Sequence, residues 1–256
     1  MTVTEPEIQR PRIHGVEVFK RQEFGSERFW YEPGNHCVFA GPTGKGKTEL
    51  AFNLLQYVAT PEFPAYVTVC KPSDPTSSKW GKILGFKRLS TYPTPPQLGQ
   101  KPPGYLVWPK FGDVNQDIDR CSNIMRALLE ERYAAGAKGK AKSQCTILLD
   151  DTVVLSKIMK LDDIMTTHLA MARAMGIGGW YFVQKPTDSG KAAIWAYGMS
   201  EHVFIFFDPD RRNQQRYDEI GGVDPRFIAS VTTQMQPYQC LYIRRTGGHM
   251  CVIDKD

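Results

Sequence analysis

Eight consecutive residues near the start of the chain have the types and spacing of a phosphate-binding loop. Residues 41–48 fit the pattern Gly-x-x-x-x-Gly-Lys-Ser/Thr, in which glycines let backbone N–H groups curl around phosphate oxygens. In such a loop the lysine, here Lys47, reaches the β- and γ-phosphates, and the Thr48 hydroxyl ligates Mg²⁺. ATP and Mg²⁺ are therefore the expected cofactors. The predicted nucleotide-binding residues are Gly41, Pro42, Thr43, Gly44, Lys45, Gly46, Lys47 and Thr48.

The flanks of the loop favour this interpretation over an ordinary glycine-rich turn. The apolar residues 37–40 precede the loop and are typical of a buried strand. Residues 49–57 follow it and are typical of a helix. Strand, glycine loop and helix is the order that phosphate binding requires, because the helix N-terminus adds partial positive charge.

Two carboxylates follow a second apolar run. Residues 147–149 read Ile-Leu-Leu and lead directly into Asp150 and Asp151. Ligands bind at the carboxyl ends of strands in open α/β sheets. We expect Asp150 to hold the Mg²⁺ shell together with Thr48, and Asp151 to orient or deprotonate the attacking water. The alternative is a pair of acids that simply opens a turn.

A polar amide ends a third apolar run. Gln184 follows residues 180–183, which read Trp-Tyr-Phe-Val. At the end of a buried strand its side chain can hydrogen-bond both the γ-phosphate and the attacking water, so we predict a role in hydrolysis. The alternative is a simple strand terminator before Lys185 and Pro186.

Two sets of arginines are candidates for a charge supplied to a neighbouring subunit. Arg173 lies on a predicted helix over residues 162–175, on its small and polar side. There it can project into the neighbour's nucleotide site and stabilise the transferring phosphoryl group. A solvated helix arginine is the alternative. The second set can contact a neighbour or DNA, or lie solvated at a helix start, and consists of Arg211, Arg212 and Arg216.

A basic loop is the candidate for contacts to DNA. Lys138, Lys140 and Lys142 alternate with small residues, and lysines in such loops bind backbone phosphates. The net charge of +5 and the pI of about 8.8 permit nucleic-acid binding without requiring it. A solvated loop is the alternative.

The 256 residues predict one large α/β domain. Strands alternate with helices, which predicts a mostly parallel sheet with helices on both faces and a few C-terminal strands. We expect residues 1–30 to form an arm or outer strand, and residues 31–256 a single motor domain with a proline-rich insertion near 90–109. No apolar run is long enough to span a membrane and no secretory signal is recognisable, so a cytoplasmic protein is predicted.

Three elements together resemble the motor domain of the FtsK–HerA superfamily of DNA translocases. They are the loop at 41–48, the acids Asp150 and Asp151, and residues 169–177, which read Leu-Ala-Met-Ala-Arg-Ala-Met-Gly-Ile and lead to Val-Gln-Lys-Pro at 183–186. The similarity covers about residues 35–225, and 169–186 is its most specific part. FtsK-like motors usually carry Asp-Glu where this chain has Asp-Asp, and the shorter second acid resembles the viral genome-packaging branch.

The resemblance implies a RecA-like fold of the ASCE class of P-loop NTPases, with an extra strand between the phosphate-loop strand and the acidic strand. It also implies a homo-oligomeric ring, a hexamer or a pentamer, that threads double-stranded DNA. It assigns Asp150 to the metal, Asp151 to catalysis, Gln184 to γ-phosphate sensing and Arg173 to the position of a trans-acting finger.

The favoured function is therefore an ATP-driven DNA translocase for viral or phage genome packaging, in the host cytoplasm and docked on a portal or similar protein. The alternatives are a DNA pump for plasmid conjugation or chromosome segregation, a protein-remodelling or secretion ATPase, and a structural subunit that binds ATP but turns it over poorly.

Overall fold

A mixed sheet organises the chain in this computed structural model, which describes residues 10–93, 100–139, 143–184, 190–220 and 223–255. The strands within these residues are β1 Arg12–Ile13, β2 Val16–Lys20, β3 Cys37–Ala40, β4 Ala65–Thr68, β5 Lys87–Leu89, β6 Gly104–Val107, β7 Cys145–Leu149, β8 Ile177–Val183, β9 His202–Phe206, β10 Cys240–Arg244 and β11 His249–Asp254. These eleven strands pair in the order β1-β2-β11-β10-β9-β3-β8-β7-β4-β6-β5.

The seven strands from β9 to β5 in this order are parallel to one another. Strand β10 runs antiparallel to both of its neighbours, β9 and β11. Strand β8 lies between β3, which precedes the phosphate loop, and β7, which precedes the acids. The predicted mostly parallel sheet with an inserted strand is confirmed.

Helices cover both faces of the sheet because its strands are apolar on both. In β3, Val38 and Ala40 face one apolar core, whereas Cys37 and Phe39 face the other. The α-helices are α1 Arg21–Glu27, α2 Lys47–Val58, α3 Pro75–Ile83, α4 Val114–Ala137, α5 Asp162–Met171, α6 Lys191–Met199, α7 Arg211–Gln214 and α8 Pro225–Gln234. The first core is closed by α4, α5, α6 and α8, and the second by α1 and α2.

The predicted helix over residues 162–175 is two elements in the structure. The α-helix α5 ends at Met171, and a 3₁₀ turn, Ala172–Met175, carries the chain onward. Gly176 then takes a left-handed conformation with φ 71° and leads into β8. The tighter turn and the glycine let the chain reverse within a few residues. Arg173 thus sits on the turn and not on the helix.

Residues 10–30 contribute two strands and a helix. Strand β2 pairs with β11 in parallel, and β1 pairs with β2 at the edge of the sheet. Within the proline-rich segment, residues 94–99 lie outside the described residues, and β6 begins at Gly104. Among the helices in the described part of the chain, none combines the length and the apolar character needed to cross a bilayer.

Candidate nucleotide-hydrolysis site

The phosphate loop bridges β3 and α2 through glycines in conformations that other residues disfavour. Gly41, Gly44 and Gly46 have φ of 143°, 79° and 93°, values that a side chain strains. A Cβ on Gly41 would also lie only 2.7 Å from the Cβ of Phe206. Gly41 and Gly46 occupy the two glycine positions of the loop pattern. Their positive φ values explain why the pattern requires glycine at both positions.

Lys47 begins α2 and is 7% exposed. Its Nζ donates to the carbonyl oxygens of Gly41, at 2.6 Å, and Pro42, at 2.8 Å. Burial lowers the pKa of this amine to about 8, although the nearby charges of Asp150 and Asp151 act in the opposite direction. The ammonium group therefore lies inside the loop, where phosphate oxygens can replace the two carbonyls.

Asp150 directly follows β7 and is 5% exposed. Its Oδ2 makes no hydrogen bond within the described residues and lies 3.7 Å from Nζ of Lys71. Burial raises the pKa of this carboxyl group to about 6, and Lys71 offsets only part of that effect. A buried carboxylate oxygen that accepts no hydrogen bond, in the same cleft as Thr48, fits a hard divalent cation such as Mg²⁺.

A chain of hydrogen bonds connects the loop to the second acid. The Gln184 amide nitrogen donates to Oδ2 of Asp151 at 2.9 Å, and the Thr43 hydroxyl donates to the Gln184 amide oxygen at 3.0 Å. The backbone N–H of Val154 approaches the other carboxylate oxygen of Asp151 at 3.3 Å. Asp151 itself has φ 59°, a left-handed conformation that is uncommon for residues other than glycine. The structure thus brings Thr43, Gln184 and Asp151 together.

A cleft of about 540 Å³ is lined by Thr43, Lys47, Thr48, Asp150 and Gln184. Several cleft residues could not be predicted from the sequence because no local pattern marks them. Lys71 follows β4, Arg21 begins α1, Tyr238 precedes β10 and Lys255 follows β11. Only the pairing of distant strands places them beside the loop.

Arg173 lies at the opposite edge of the sheet. It precedes β8, whose other end carries Gln184, and it is exposed. It lines an open cleft with Glu201 and Arg245. Its position leaves it accessible to another molecule and remote from the phosphate loop of its own chain.

The second arginine set follows β9 and therefore lies toward the loop edge. Arg211 and Arg212 are exposed at the start of α7, and Asp210 caps that helix by accepting from the backbone N–H of Arg212. The Arg212 guanidinium also pairs with Asp210 at 3.1 Å. Arg216 is partly buried in the 3₁₀ turn that follows.

The candidate DNA loop is only partly described. Lys138 is exposed just beyond the end of α4, whereas Lys140 and Lys142 lie outside the described residues. Because α4 leads back to the start of β7, Lys138 lies near the amino end of that strand, on the same edge of the sheet as Arg173.

Comparison with solved structures identifies the fold. No protein-family profile and no curated protein matches the sequence. The genome-packaging NTPase B204 of Sulfolobus turreted icosahedral virus 2, in complex with ATPγS, superposes with a TM-score of 0.58 at 12% identity. The match covers 88% of this chain and 100% of B204.

Secretion ATPases share the fold over part of their length. The cytoplasmic domain of the type VII secretion ATPase EccC of Thermomonospora curvata matches with a TM-score of 0.51 and 16% identity, over 87% of this chain and 25% of that domain's chain. ATPases 2 and 3 of EssC from Geobacillus thermodenitrificans match with a TM-score of 0.52 and 12% identity, over 86% of this chain and 39% of that chain. Fold and site together define the class as a RecA-like P-loop fold, with the phosphate loop and the two acids at the carboxyl edge of its sheet.

Proposed function

We propose that the chain hydrolyses ATP in the cleft at the carboxyl edge of β3, β7 and β8, and that hydrolysis drives movement of double-stranded DNA. The observation that carries the proposal is the hydrogen-bonded series Thr43–Gln184–Asp151 beside Lys47. An ordinary glycine-rich turn has no need of a carboxylate held by an amide that also contacts the loop. The alternatives of a turn-opening acid pair and a strand-terminating glutamine are disfavoured for the same reason.

Each group has a defined task in this mechanism. The backbone of residues 41–48 cradles the phosphates, and Lys47 exchanges its two carbonyl partners for phosphate oxygens. Asp150 and Thr48 would hold Mg²⁺, which would neutralise developing charge on the phosphates. Asp151 accepts the proton of the attacking water. Gln184 holds the carboxylate of Asp151 in place by a hydrogen bond. Because Gln184 also contacts the γ-phosphate in this mechanism and directly follows β8, loss of that phosphate is transmitted to β8.

The similarity to a packaging NTPase supports viral genome packaging as the finer assignment. B204 is matched over its whole length, whereas the secretion ATPases are matched over 39% or less of theirs. The basic net charge and the exposed Lys138 are compatible with contacts to DNA phosphates. In this proposal the chain forms a homo-oligomeric ring around DNA and docks on a portal-like protein.

Steady-state ATPase assays test the site directly. We expect Lys47→Ala and Asp151→Asn each to reduce kcat by at least about 100-fold, because one removes the phosphate-binding cation and the other the proton acceptor. The controls are Lys82→Ala and Asp163→Asn, which change the same residue types at exposed helix positions. Retention of activity in either site variant would refute the assignment.

The response of the ATPase activity to duplex DNA distinguishes a DNA translocase from the alternative classes of protein. A DNA translocase should show ATPase activity that rises with added duplex and that loses this stimulation as salt increases, because phosphate contacts release counterions. A secretion or protein-remodelling ATPase should not respond to duplex. A slow ATPase rate that changes neither with added duplex DNA nor with oligomer formation would instead identify a structural nucleotide-binding subunit.

A further inference from the structure

The nucleotide cleft continues beyond the phosphate loop on the side away from the catalytic groups. Asp150 and Gln184 follow β7 and β8, which lie on one side of β3, whereas β10, β11 and β2 lie on the other side. Three side chains from this second side, Arg21, Tyr238 and Lys255, line the same cleft. No step of the proposed hydrolysis uses them.

Strand register brings these three residues together. The last residues of β2 and β11 lie opposite one another, and the first residue of β10 pairs with the second-last residue of β11. Arg21 directly follows β2, Lys255 directly follows β11, and Tyr238 precedes β10 by two residues. They therefore converge on one edge of the sheet although they are far apart in sequence.

Arg21 is a buried cation whose charge needs an anion. It is 6% exposed, and its Nε makes no hydrogen bond within the described part of the chain. Burying a guanidinium N–H without an acceptor is costly, and a ligand that supplies oxygen acceptors and negative charge removes that cost. Beside a phosphate loop, the ligand chemistry that fits is a phosphate group.

Tyr238 is an aromatic ring held in the cleft by strained backbone. Its φ is 70°, and its side chain is 48% exposed. The turn is closed by the backbone N–H of Gln236, which donates to the Gln239 side chain at 2.7 Å. The ring reaches the loop, because a Cβ on Gly46 would lie 3.4 Å from its Cδ1. Strain of this kind persists at ligand-binding positions.

We propose that Tyr238 stacks on the nucleobase and that Arg21 binds the phosphates at the base end of the nucleotide. The inference rests on the proposed ATP site. Because the γ-phosphate must face Asp151 and Gln184, the ribose and base extend toward β10. Lys255, whose Nζ lies 5.5 Å from the centre of the Tyr238 ring, holds that ring by a cation–π contact.

Inorganic tripolyphosphate is the probe that separates base recognition from phosphate binding. By calorimetry, Tyr238→Ala should weaken ATP binding about 5- to 100-fold, the range expected for loss of one aromatic stack. Tripolyphosphate, which has no base, should bind this variant as it binds the wild type. Tyr238→Phe should retain ATP binding, whereas Arg21→Gln should weaken both ligands by similar factors.

A second substitution keeps the test decisive if Tyr238→Ala folds poorly. Tyr238→Gly also removes the ring but relieves the positive φ, so it should show the same selective loss of ATP. Equal effects of ring removal on both ligands, or no effect on ATP, would overturn the stacking role, and unchanged binding of both by Arg21→Gln would overturn the phosphate role. If Lys47→Ala binds ATP as well as the wild type does, the proposed function itself fails, and this inference fails with it.

Discussion

Asp150 is a residue at which the requirements of function and of folding conflict. In the proposed site the carboxylate of Asp150 holds a metal ion, yet burial disfavours its charge and raises its pKa to about 6. Above that pH the folded protein must keep a buried charge that the unfolded chain exposes to water. The charged carboxylate of Asp150 therefore reduces the stability of the fold when no cation is bound beside it.

This conflict predicts that Asp150→Asn stabilises the protein at neutral pH in the absence of metal and nucleotide. Because the pKa of the folded state is raised, the charge costs stability above about pH 6, and the cost disappears as pH falls toward 4. Denaturant unfolding with a chelator present should show a gain of at most about 3 kcal/mol at pH 7.5 and almost none at pH 4. A loss at pH 7.5 would mean that the pair with Lys71 outweighs burial.

Gln184 is expected to act on turnover more than on binding. Gln184→Ala removes the hydrogen bonds to Asp151 and Thr43, so kcat should fall by at least about 10-fold, as for loss of a hydrogen bond to a charged group. ATP affinity should change much less, because backbone N–H groups of the loop hold the phosphates. Kinetics paired with binding measurements separate the two effects.

Gln56→Ala, at an exposed position of α2, is the matched control for Gln184→Ala and should change neither quantity. An equal loss of affinity and turnover in Gln184→Ala would argue against a role confined to hydrolysis.

At the scale of elements, a long-range cap ties the acidic strand end to α6. A π-helical turn, Val154–Ile158, follows the acids, and its Ser156 hydroxyl donates to the Asp162 carboxylate at 2.8 Å. The same carboxylate accepts the backbone N–H groups of Lys191 and Ala192, the first residues of α6. Asp162, at the start of α5, thus caps a different helix.

The cap predicts unequal roles for two adjacent acids. Asp162→Ala should lower the free energy of unfolding by about 1–2 kcal/mol, because a helix cap and a side-chain bond are lost together. Asp163→Ala, also in the first turn of α5 but exposed, should change stability by less than about 0.5 kcal/mol. Equal values for the two variants in denaturant unfolding would contradict the capping role.

Local patterns predict some of these elements and miss others for physical reasons. The strand, loop and helix at residues 37–58 were predictable because glycine spacing and apolar runs act over neighbouring residues. The break at Met171 was missed because the 3₁₀ turn continues nearly the same apolar spacing. Arg21 and Tyr238 were missed because only the pairing of β2, β10 and β11 brings them to the loop.

At the scale of the whole molecule, the proposed ring implies sites completed by a neighbour. If Arg173 acts in trans, then mixing inactive Lys47→Ala and Arg173→Ala proteins should restore part of the ATPase activity. One mixed interface then combines an intact phosphate loop from one subunit with an intact arginine from the next. ATPase activity against mixing ratio, with duplex DNA present, is the measurement.

Arg211→Ala is the control in the same mixing design, because it removes an exposed arginine from the loop edge of the sheet. As a control, Arg211→Ala should be active without mixing. If instead Arg211→Ala alone is inactive and regains activity on mixing with Lys47→Ala, whereas Arg173→Ala does not, the trans role passes to the second set of arginines. No recovery with either variant would argue against a contribution by arginine from a neighbour.

Strand β8 has a mechanical consequence for such an assembly. All seven of its residues are buried, and at about 3.3 Å per residue it spans about 23 Å. One end is joined to Gln184, which donates a hydrogen bond to Asp151, the proposed catalytic carboxylate, and the other end is joined to the turn that carries Arg173. Because β8 is paired with parallel strands on both sides, it resists bending and moves as a rigid unit. Loss of a γ-phosphate at one nucleotide would then displace β8 as a single stiff segment, and this displacement would reach the next subunit. Sequential hydrolysis around a ring would then need no mobile loop to carry the signal between subunits.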